Sequence, residues 1–252
     1  MKLLLDLGNT RLKWAMASAN GWSARGAVAW DEDVANVLTQ SWRALARPDR
    51  ALGSSVVDAA REAQIQSVIA TIFARDVTWV RTPAQACGVR NAYPEPHRLG
   101  VDRFLAMVAA HAEGHTPCVL AGIGTALTLD ALAADGQHLG GLIAPGPLLM
   151  QQSLLGATVR VQTDHSAAIR DIADNTPDAV ASGCWQAVAA LIERFARHIA
   201  NRHPEKAPRL LLDGGDAATL LPLLGVPAEL AADSVLRGLL VWAHSHPAPA
   251  SP

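Results

Sequence analysis

The chain opens with an apolar run, LLL at 3–5, broken by Asp6 and a Gly8-Asn9-Thr10 turn, and resumes as LKWAMA at 12–17. Short apolar runs bounded by a glycine read as buried strands. Residues 2–7 and 12–17 are predicted to pair around Gly8, with GAVAW at 26–30 as a third strand. From Asp31 the spacing changes. DEDVANVLTQSWRALA puts acidic residues first and apolar residues at helical intervals, which predicts a helix. ALGSSVV at 51–57 then predicts a strand, DAAREAQIQSVIATI at 58–72 a helix and VTWVRT at 77–82 a short strand. A meander followed by alternating strand and helix points to a layered α/β fold.

Residues 83–101 have no period and are rich in Pro and Gly, the mark of a long loop, and a helix from Asp102 follows. The pattern then starts again. CVLAGIGTALTLDAL at 118–132 runs through a glycine turn into a second strand, as the N-terminus does. Asp6-Leu7-Gly8-Asn9 aligns with Gly122-Ile123-Gly124-Thr125, and each copy opens a strand–turn–strand–helix series. Two similar lobes are expected, 1–115 and 116–252, meeting near EGHTP. A long helix from Pro177, the strand RLLLDGG and a last helix near Ser234 belong to the second copy in this reading.

Composition narrows the class. Half of the 252 residues are hydrophobic and 17% are charged, which suits a folded chain with a real core. Lys plus Arg number 21 and Asp plus Glu 23, a formal net charge of −2. That balance gives no general pull toward nucleic acid or an anionic membrane, and neither is expected as a partner. Cys87, Cys118 and Cys184 form an odd set without a C-x-x-C pair, which argues against a disulfide framework or a zinc site. They are read as reduced core thiols. The N-terminal run is too short for a signal peptide and no window of about 18 apolar residues exists, so a cytoplasmic location is expected.

Several clusters can carry chemistry. In DLGNTRLK, 6–13, a glycine allows close approach of the backbone, Asn9 and Thr10 offer donors to phosphate oxygens, Lys13 adds a charge, and Asp6 is a ligand for hydrated Mg²⁺. An ordinary hairpin turn explains the same residues. GIGTALT is neither a P-loop nor a dinucleotide-binding fingerprint. In LGVDR, 99–103, Asp102 can serve as a helix cap or as a base that deprotonates a hydroxyl, while Arg103 in a first helical turn runs against the helix dipole. Asn175-Thr176-Pro177 reads as a helix start or as a hydroxyl offered to substrate. DGGD at 213–216 reads as a strand-to-helix turn or as backbone laid against a base or ribose.

In this order the pieces resemble the type III pantothenate kinases, also called the Bvg accessory factor family, over nearly the whole chain. The residues that carry the resemblance are DLGNTRLK, Tyr93 with GVDR at 100–103, GTALTLD at 124–130, GGLIAPG at 140–146, NT at 175–176 and DGGD. It implies an α/β fold of two ribonuclease-H-like, actin-like ATPase lobes with an ATP cleft between them, and a homodimer. It implies transfer of phosphate from ATP, with Mg²⁺, to pantothenate, the first step toward coenzyme A. Residue by residue, it assigns Asp6, Leu7, Gly8, Asn9, Thr10, Arg11, Leu12, Lys13 and Thr125 to ATP. It assigns Tyr93, Gly100, Val101, Asp102, Arg103 and Thr176 to pantothenate, with Asp102 as proton acceptor. The family also binds K⁺ or NH₄⁺ through an aspartate two residues before the glycine of its GTA motif. Here that position is Gly122, which has no carboxylate. Either the requirement is relaxed or a carbonyl or partner-subunit group replaces the ligand. A different superfamily phosphotransferase and a non-catalytic ATP-binding regulator are the competing readings, but Asp6, Lys13 and Asp102 are all present, as catalysis needs.

Overall fold

The computed structural model describes residues 1–18, 21–157 and 167–247. It divides into two compact units, Met1–Gly114 with Ser234–Pro252, and His115–Asp233.

In the first unit, β1 (Lys2–Leu7), β2 (Arg11–Ser18) and β3 (Gly21–Ala29) form the expected meander. Helix α1 (Val34–Trp42), β4 (Arg50–Ser55), α2 (Ala59–Phe73) and β5 (Val77–Trp79) follow. The sheet order is β3-β2-β1-β4-β5, antiparallel across the meander and parallel from β1 to β5, the ribonuclease-H-like arrangement. Aspartates start both helices: Asp33 accepts from the Asn36 N–H and Asp58 from the Arg61 N–H. The loop that follows is not featureless. It contains the two-residue strands β6 (Gln85–Ala86) and β7 (Val89–Arg90), paired around a Cys87-Gly88 turn with positive φ at both residues. Cys87 is therefore a half-buried turn residue rather than a core thiol. Helix α3 (Val101–Ala112) comes next.

β1 is apolar on both faces because both faces are covered. Leu3, Leu5 and Leu7 join Leu12 and Trp14 against Leu38 and Trp42 of α1 and Ile65, Ile69 and Phe73 of α2. Leu4 joins Ala15 and Leu52 against Val101 and Leu105 of α3. Each such leucine removed from water contributes about 1.5–3 kcal/mol. Strand alternation places Asp6 and Lys13 on the α3 side, with Leu4 and Ala15.

The second unit repeats the design. β8 (Cys118–Ile123), β9 (Ala126–Leu132) and β10 (His138–Pro145) form its meander. Helices α4 (Pro147–Ala157) and α5 (Thr176–Arg202), β11 (Arg209–Asp213), the short α6 (Ala217–Leu220) and β12 (Glu229–Leu230) complete it. The order β10-β9-β8-β11-β12 matches the first sheet strand for strand. Val119, Ile123, Leu127 and Leu129 pack under Trp185, Val188 and Ile192 of α5. The last helix, α7 (Ser234–Ser245), departs from the expected division at 116–252. Its Leu236 and Leu239 pack with Val101 and Leu105 of α3, so it belongs to the first unit. The approach is close enough that a Cβ on Gly238 would lie 2.0 Å from the Leu105 carbonyl oxygen, which leaves room only for glycine.

Candidate active site

The β1–β2 turn is fixed by its own backbone and by a residue outside it. The Gly8 N–H donates to the Arg11 carbonyl at 3.1 Å. The Trp30 indole N–H donates to the Gly8 carbonyl at 2.7 Å, and the Trp30 amide to the Thr10 carbonyl at 3.2 Å. Arg61 lies over the Trp30 ring, 4.8 Å from its centroid. The turn is thus braced while Asn9, Thr10 and Arg11 stay exposed. Asp6 and Lys13 are directly opposite in the strand register, a pair of unlike charges at the base of the turn. Leu7 and Leu12, both assigned to ATP by resemblance, have side chains fully buried in the core. Only their main-chain groups are available to a ligand.

Asp6 also pairs across the sheet with Ser54 of β4, whose buried hydroxyl has no hydrogen-bond partner within the protein. A carboxylate beside an unsatisfied hydroxyl is a set of hard oxygens, and it fits Mg²⁺ held through its water shell.

At the mouth of α3, Asp102 does not take the cap position. The N-cap is Gly100, with no side-chain cap bond, and Asp102 is inside the first turn. Its Oδ1 accepts from the Arg103 amide at 2.8 Å. A Cβ on Gly100 would come within 2.5 Å of that oxygen, so glycine makes the space the carboxylate occupies. Arg103 is 7% exposed and donates from Nη1 to the Tyr93 hydroxyl at 3.3 Å. Val101, also assigned to substrate, is buried in the apolar face under α7 and offers its backbone there. Tyr93, Gly100, Asp102 and Arg103 therefore form one group. Asn91 shapes the loop that delivers Tyr93. It accepts from the Tyr93 amide at 2.9 Å and donates to the Pro96 carbonyl at 3.1 Å. The Thr82 hydroxyl closes the loop onto the Leu99 carbonyl at 2.8 Å.

In the second unit the equivalent turn is one residue shorter, and the Gly124 amide donates to the Ala126 carbonyl at 3.1 Å. Thr125 is exposed at its tip. Two other glycine motifs are packed onto this turn. A Cβ on Gly146 would lie 1.9 Å from the Gly124 carbonyl oxygen, and one on Gly214 (φ 107°) 2.1 Å from that of Ile123. So GGLIAPG and DGGD first serve close backbone packing, while Gly215 faces open space. Gly122 pairs with Thr128 on one side and Asp213 on the other. A Cβ at Gly122 would sit 2.6 Å from the Thr128 Oγ1. Asp213 turns Oδ1 onto the Gly214 amide at 2.6 Å. Gly122 itself offers no side-chain oxygen to a K⁺ or NH₄⁺ ion, and the carboxylate beside it in the register is that of Asp213.

Thr176 is the first residue of α5, behind Asn175, whose side chain caps the helix by accepting from the Asp178 amide at 3.0 Å. Asp178 receives the Arg170 Nε at 2.9 Å and the Ala168 amide at 2.8 Å. The Arg170 guanidinium, the Ala168 amide and the Asn175 side chain hold its carboxyl below the usual carboxylate range. Thr176 borders an open hollow of about 600 Å³ between α4 and α5. Cys184 lines it as a buried free thiol, its pKa raised by burial. Cys118, buried at the start of β8, is pushed up to about 12 for the same reason. Trp30 and Asn91 are the residues the sequence reading missed; Asp213 was read only as part of DGGD. Asn91 alone carried a signal, as an asparagine in a Pro-rich loop.

Comparison with known proteins gives the family and the fold. The sequence profile of the family described as type III pantothenate kinase matches residues 2–198. Relatives described as type III pantothenate kinases are 42% identical in Xanthomonas campestris pv. campestris, over 98% of both chains, and 38% identical in Aromatoleum aromaticum, over 96% of this chain and 98% of the relative. Among solved structures, a Campylobacter jejuni protein described as a Baf family transcriptional activator superposes with TM-score 0.60 at 18% identity, covering 96% of this chain and 97% of the other. A Sinorhizobium meliloti protein described as a 2-dehydro-3-deoxygalactonokinase gives 0.56 at 16% identity, over 97% and 98%. These two show the fold alone: the α/β architecture with two ribonuclease-H-like lobes is the one expected.

Proposed function

We propose that this chain, which belongs to the type III pantothenate kinase family, transfers the γ-phosphoryl group of ATP to the primary hydroxyl of pantothenate. The observation that carries the chemistry is the mouth of α3. Asp102 is released from capping, held in place by the Arg103 amide, and set beside a buried arginine that a tyrosine positions.

Phosphoryl transfer asks a protein mainly for positioning and charge neutralisation. The exposed tip of the β1–β2 turn, Asn9 to Arg11, with Lys13 at its base, is assigned to the triphosphate. Thr125 is assigned a further contact to ATP. Asp6 is the residue to hold Mg²⁺, which when bound neutralises phosphate charge. Asp102 accepts the hydroxyl proton as the pantothenate oxygen bonds to the γ-phosphorus in line and the bond to the β–γ bridging oxygen breaks, releasing ADP. Arg103 and the α3 amides hold anionic or polar groups of the substrate, with Tyr93 orienting the guanidinium. Thr176 is assigned to pantothenate through its hydroxyl.

The reading includes a cytoplasmic homodimer without nucleic-acid or membrane partners. The exposed apolar side chains of Leu142, Ile143, Leu148 and Leu154 support the homodimer part of this reading, as positions for a second copy to cover. No described helix is long and apolar enough to cross a membrane. The experiment is ADP release from Mg²⁺-ATP with and without pantothenate, with mass spectrometry of the product. Pantothenate-dependent ADP and a phosphorylated product are expected. ADP release indifferent to pantothenate would reject the assignment.

A further inference from the structure

In each unit the first backbone N–H after the third strand returns to the tip of the glycine turn. The Trp30 amide donates to the Thr10 carbonyl at 3.2 Å, and the Gly146 amide to the Thr125 carbonyl at 2.9 Å. Trp30 and Gly146 are thus equivalent positions, and the first unit carries an indole where the second carries only hydrogen. In the second unit the Gly146 Cα lies against the Gly124 carbonyl oxygen and leaves no space for a side chain. In the first, the Trp30 indole N–H bonds to the corresponding Gly8 carbonyl at 2.7 Å. The ring packs against the apolar core of the unit, and the Arg61 guanidinium lies over it, 4.8 Å from its centroid. The turn that presents the ring is closed by Glu32, whose carboxylate accepts from the Ala29 amide at 2.9 Å.

Holding that oxygen sets the direction of a donor. The peptide between Gly8 and Asn9 is a rigid trans plane, in which C=O and N–H point opposite ways. With the oxygen held by the indole, the Asn9 N–H is turned away from Trp30. Asn9 is exposed, and its amide takes part in no backbone bond of the turn. We propose that Trp30 is a positioning residue for ATP: it locks the Gly8–Asn9 peptide so that the Asn9 amide is presented to a phosphate oxygen, and Arg61 keeps the indole in the orientation that makes the bond. The inference rests on the assignment of this turn to the triphosphate. A peptide plane next to a glycine in an exposed turn rotates easily, because glycine is conformationally permissive. A donor aimed before the nucleotide arrives loses less freedom on binding, and its bond to a charged phosphate is about twice as strong as one to a neutral acceptor.

The test compares wild type, Trp30→Phe and Arg61→Met by calorimetric binding of a non-hydrolysable ATP analogue with Mg²⁺, and by steady-state kinetics. Trp30→Phe keeps an aromatic ring for Arg61 but has no N–H to donate. Its Kd for the analogue and its KM for ATP should rise about tenfold, while KM for pantothenate stays within about twofold. Its ligand-free thermal midpoint should fall by only about a few degrees. Arg61→Met should raise the same Kd about two- to fivefold, and should add nothing in the Trp30→Phe background, because the arginine acts through the indole. An unchanged Kd in folded Trp30→Phe overturns the proposal. So does an equal rise in KM for both substrates, which marks a general disturbance. Should Trp30→Phe not fold, an unchanged Kd in Arg61→Met overturns it instead. An Arg61→Met effect of the same size with and without the indole overturns the role given to Arg61. Failure of the kinase assignment looks different: wild type binds the analogue, Trp30→Phe binds it more weakly, and pantothenate elicits no ADP. Wild type that does not bind the analogue sinks the assignment of the turn and this proposal with it.

Discussion

If Asp102 is the base, replacing Gly100 with alanine should impair catalysis by displacing the Asp102 carboxylate while leaving the fold intact. Gly100 has φ −52° and ψ 132°, a conformation alanine adopts freely, so no backbone strain is introduced. The new methyl would lie 2.5 Å from the Asp102 Oδ1, whereas ordinary contact begins near 3.4 Å, so the carboxylate must retreat by about 0.9 Å. A carboxylate can rotate away, and the structural cost is the Oδ1 bond to the Arg103 amide, about 0.5–1.5 kcal/mol. The catalytic cost is larger. A base displaced by about 1 Å can lose on the order of 10²-fold in rate. Steady-state ADP release with saturating ATP should show kcat lower by about 10- to 100-fold, with KM for ATP little changed and the thermal midpoint within a few degrees. The parallel variant Asp102→Asn removes proton acceptance itself and should cost about 10²–10⁴-fold. Wild-type kcat in Gly100→Ala would refute the placement of Asp102 as base, because the geometry leaves no way to insert the methyl without moving that oxygen.

Other expectations address different parts of the molecule. With no carboxylate at Gly122 and one Asp213 oxygen turned onto the Gly214 amide, turnover should change by less than twofold when K⁺ or NH₄⁺ replaces a bulky organic cation. Activation of more than about fivefold would contradict this and direct attention to Asp213. The depressed Asp178 carboxyl stabilises the start of α5 above the ordinary aspartate pKa, near 3.9, and loses that contribution as pH falls through its lowered folded value. The melting-temperature gap between wild type and Asp178→Asn should therefore be full at pH 5–7 and close below about pH 4. A gap constant down to pH 3 would show that the Arg170 pair contributes nothing through ionisation.

Legibility in the sequence followed the range of the interaction. The strands of both meanders were visible because burial is written into consecutive residues, and β1, covered on both faces, appears as an unbroken LLL. The duplication was visible because Gly8 and Gly124 close equivalent turns. What could not be read depends on partners distant in sequence. Nothing local to SVLRGLLVWAHS says that it returns to pack on α3, and the decisive contact is a glycine against the Leu105 backbone. Trp30 is an unremarkable strand-end residue until its indole is seen to hold the Gly8 carbonyl. Asp102 was legible as a candidate cap or base, but that Gly100 takes the cap position is seen only in the backbone geometry.

The two units also show how one frame is divided between different tasks. Their registers are superimposable: Asp6 opposes Lys13 where Gly122 opposes Thr128, and Asp6 neighbours Ser54 where Gly122 neighbours Asp213. Each sheet therefore carries one carboxylate at the end of its central parallel pair, on the first strand in one unit and on the fourth in the other. The exchange has a steric cause in the second unit. Thr128 points its hydroxyl into the volume a side chain at 122 would need, so an aspartate there would have to displace it. In the first unit Lys13 takes the place of Thr128, and its long side chain can lean aside. A carboxylate at position 122 is thus not a simple restoration. Gly122→Asp alone should crowd Thr128 and add a second negative charge beside Asp213. It should lower the melting temperature, and the pair Gly122→Asp with Thr128→Ala should recover most of the loss. Equal stability of the single and double variants would show that the Thr128 contact is not what excludes a side chain there.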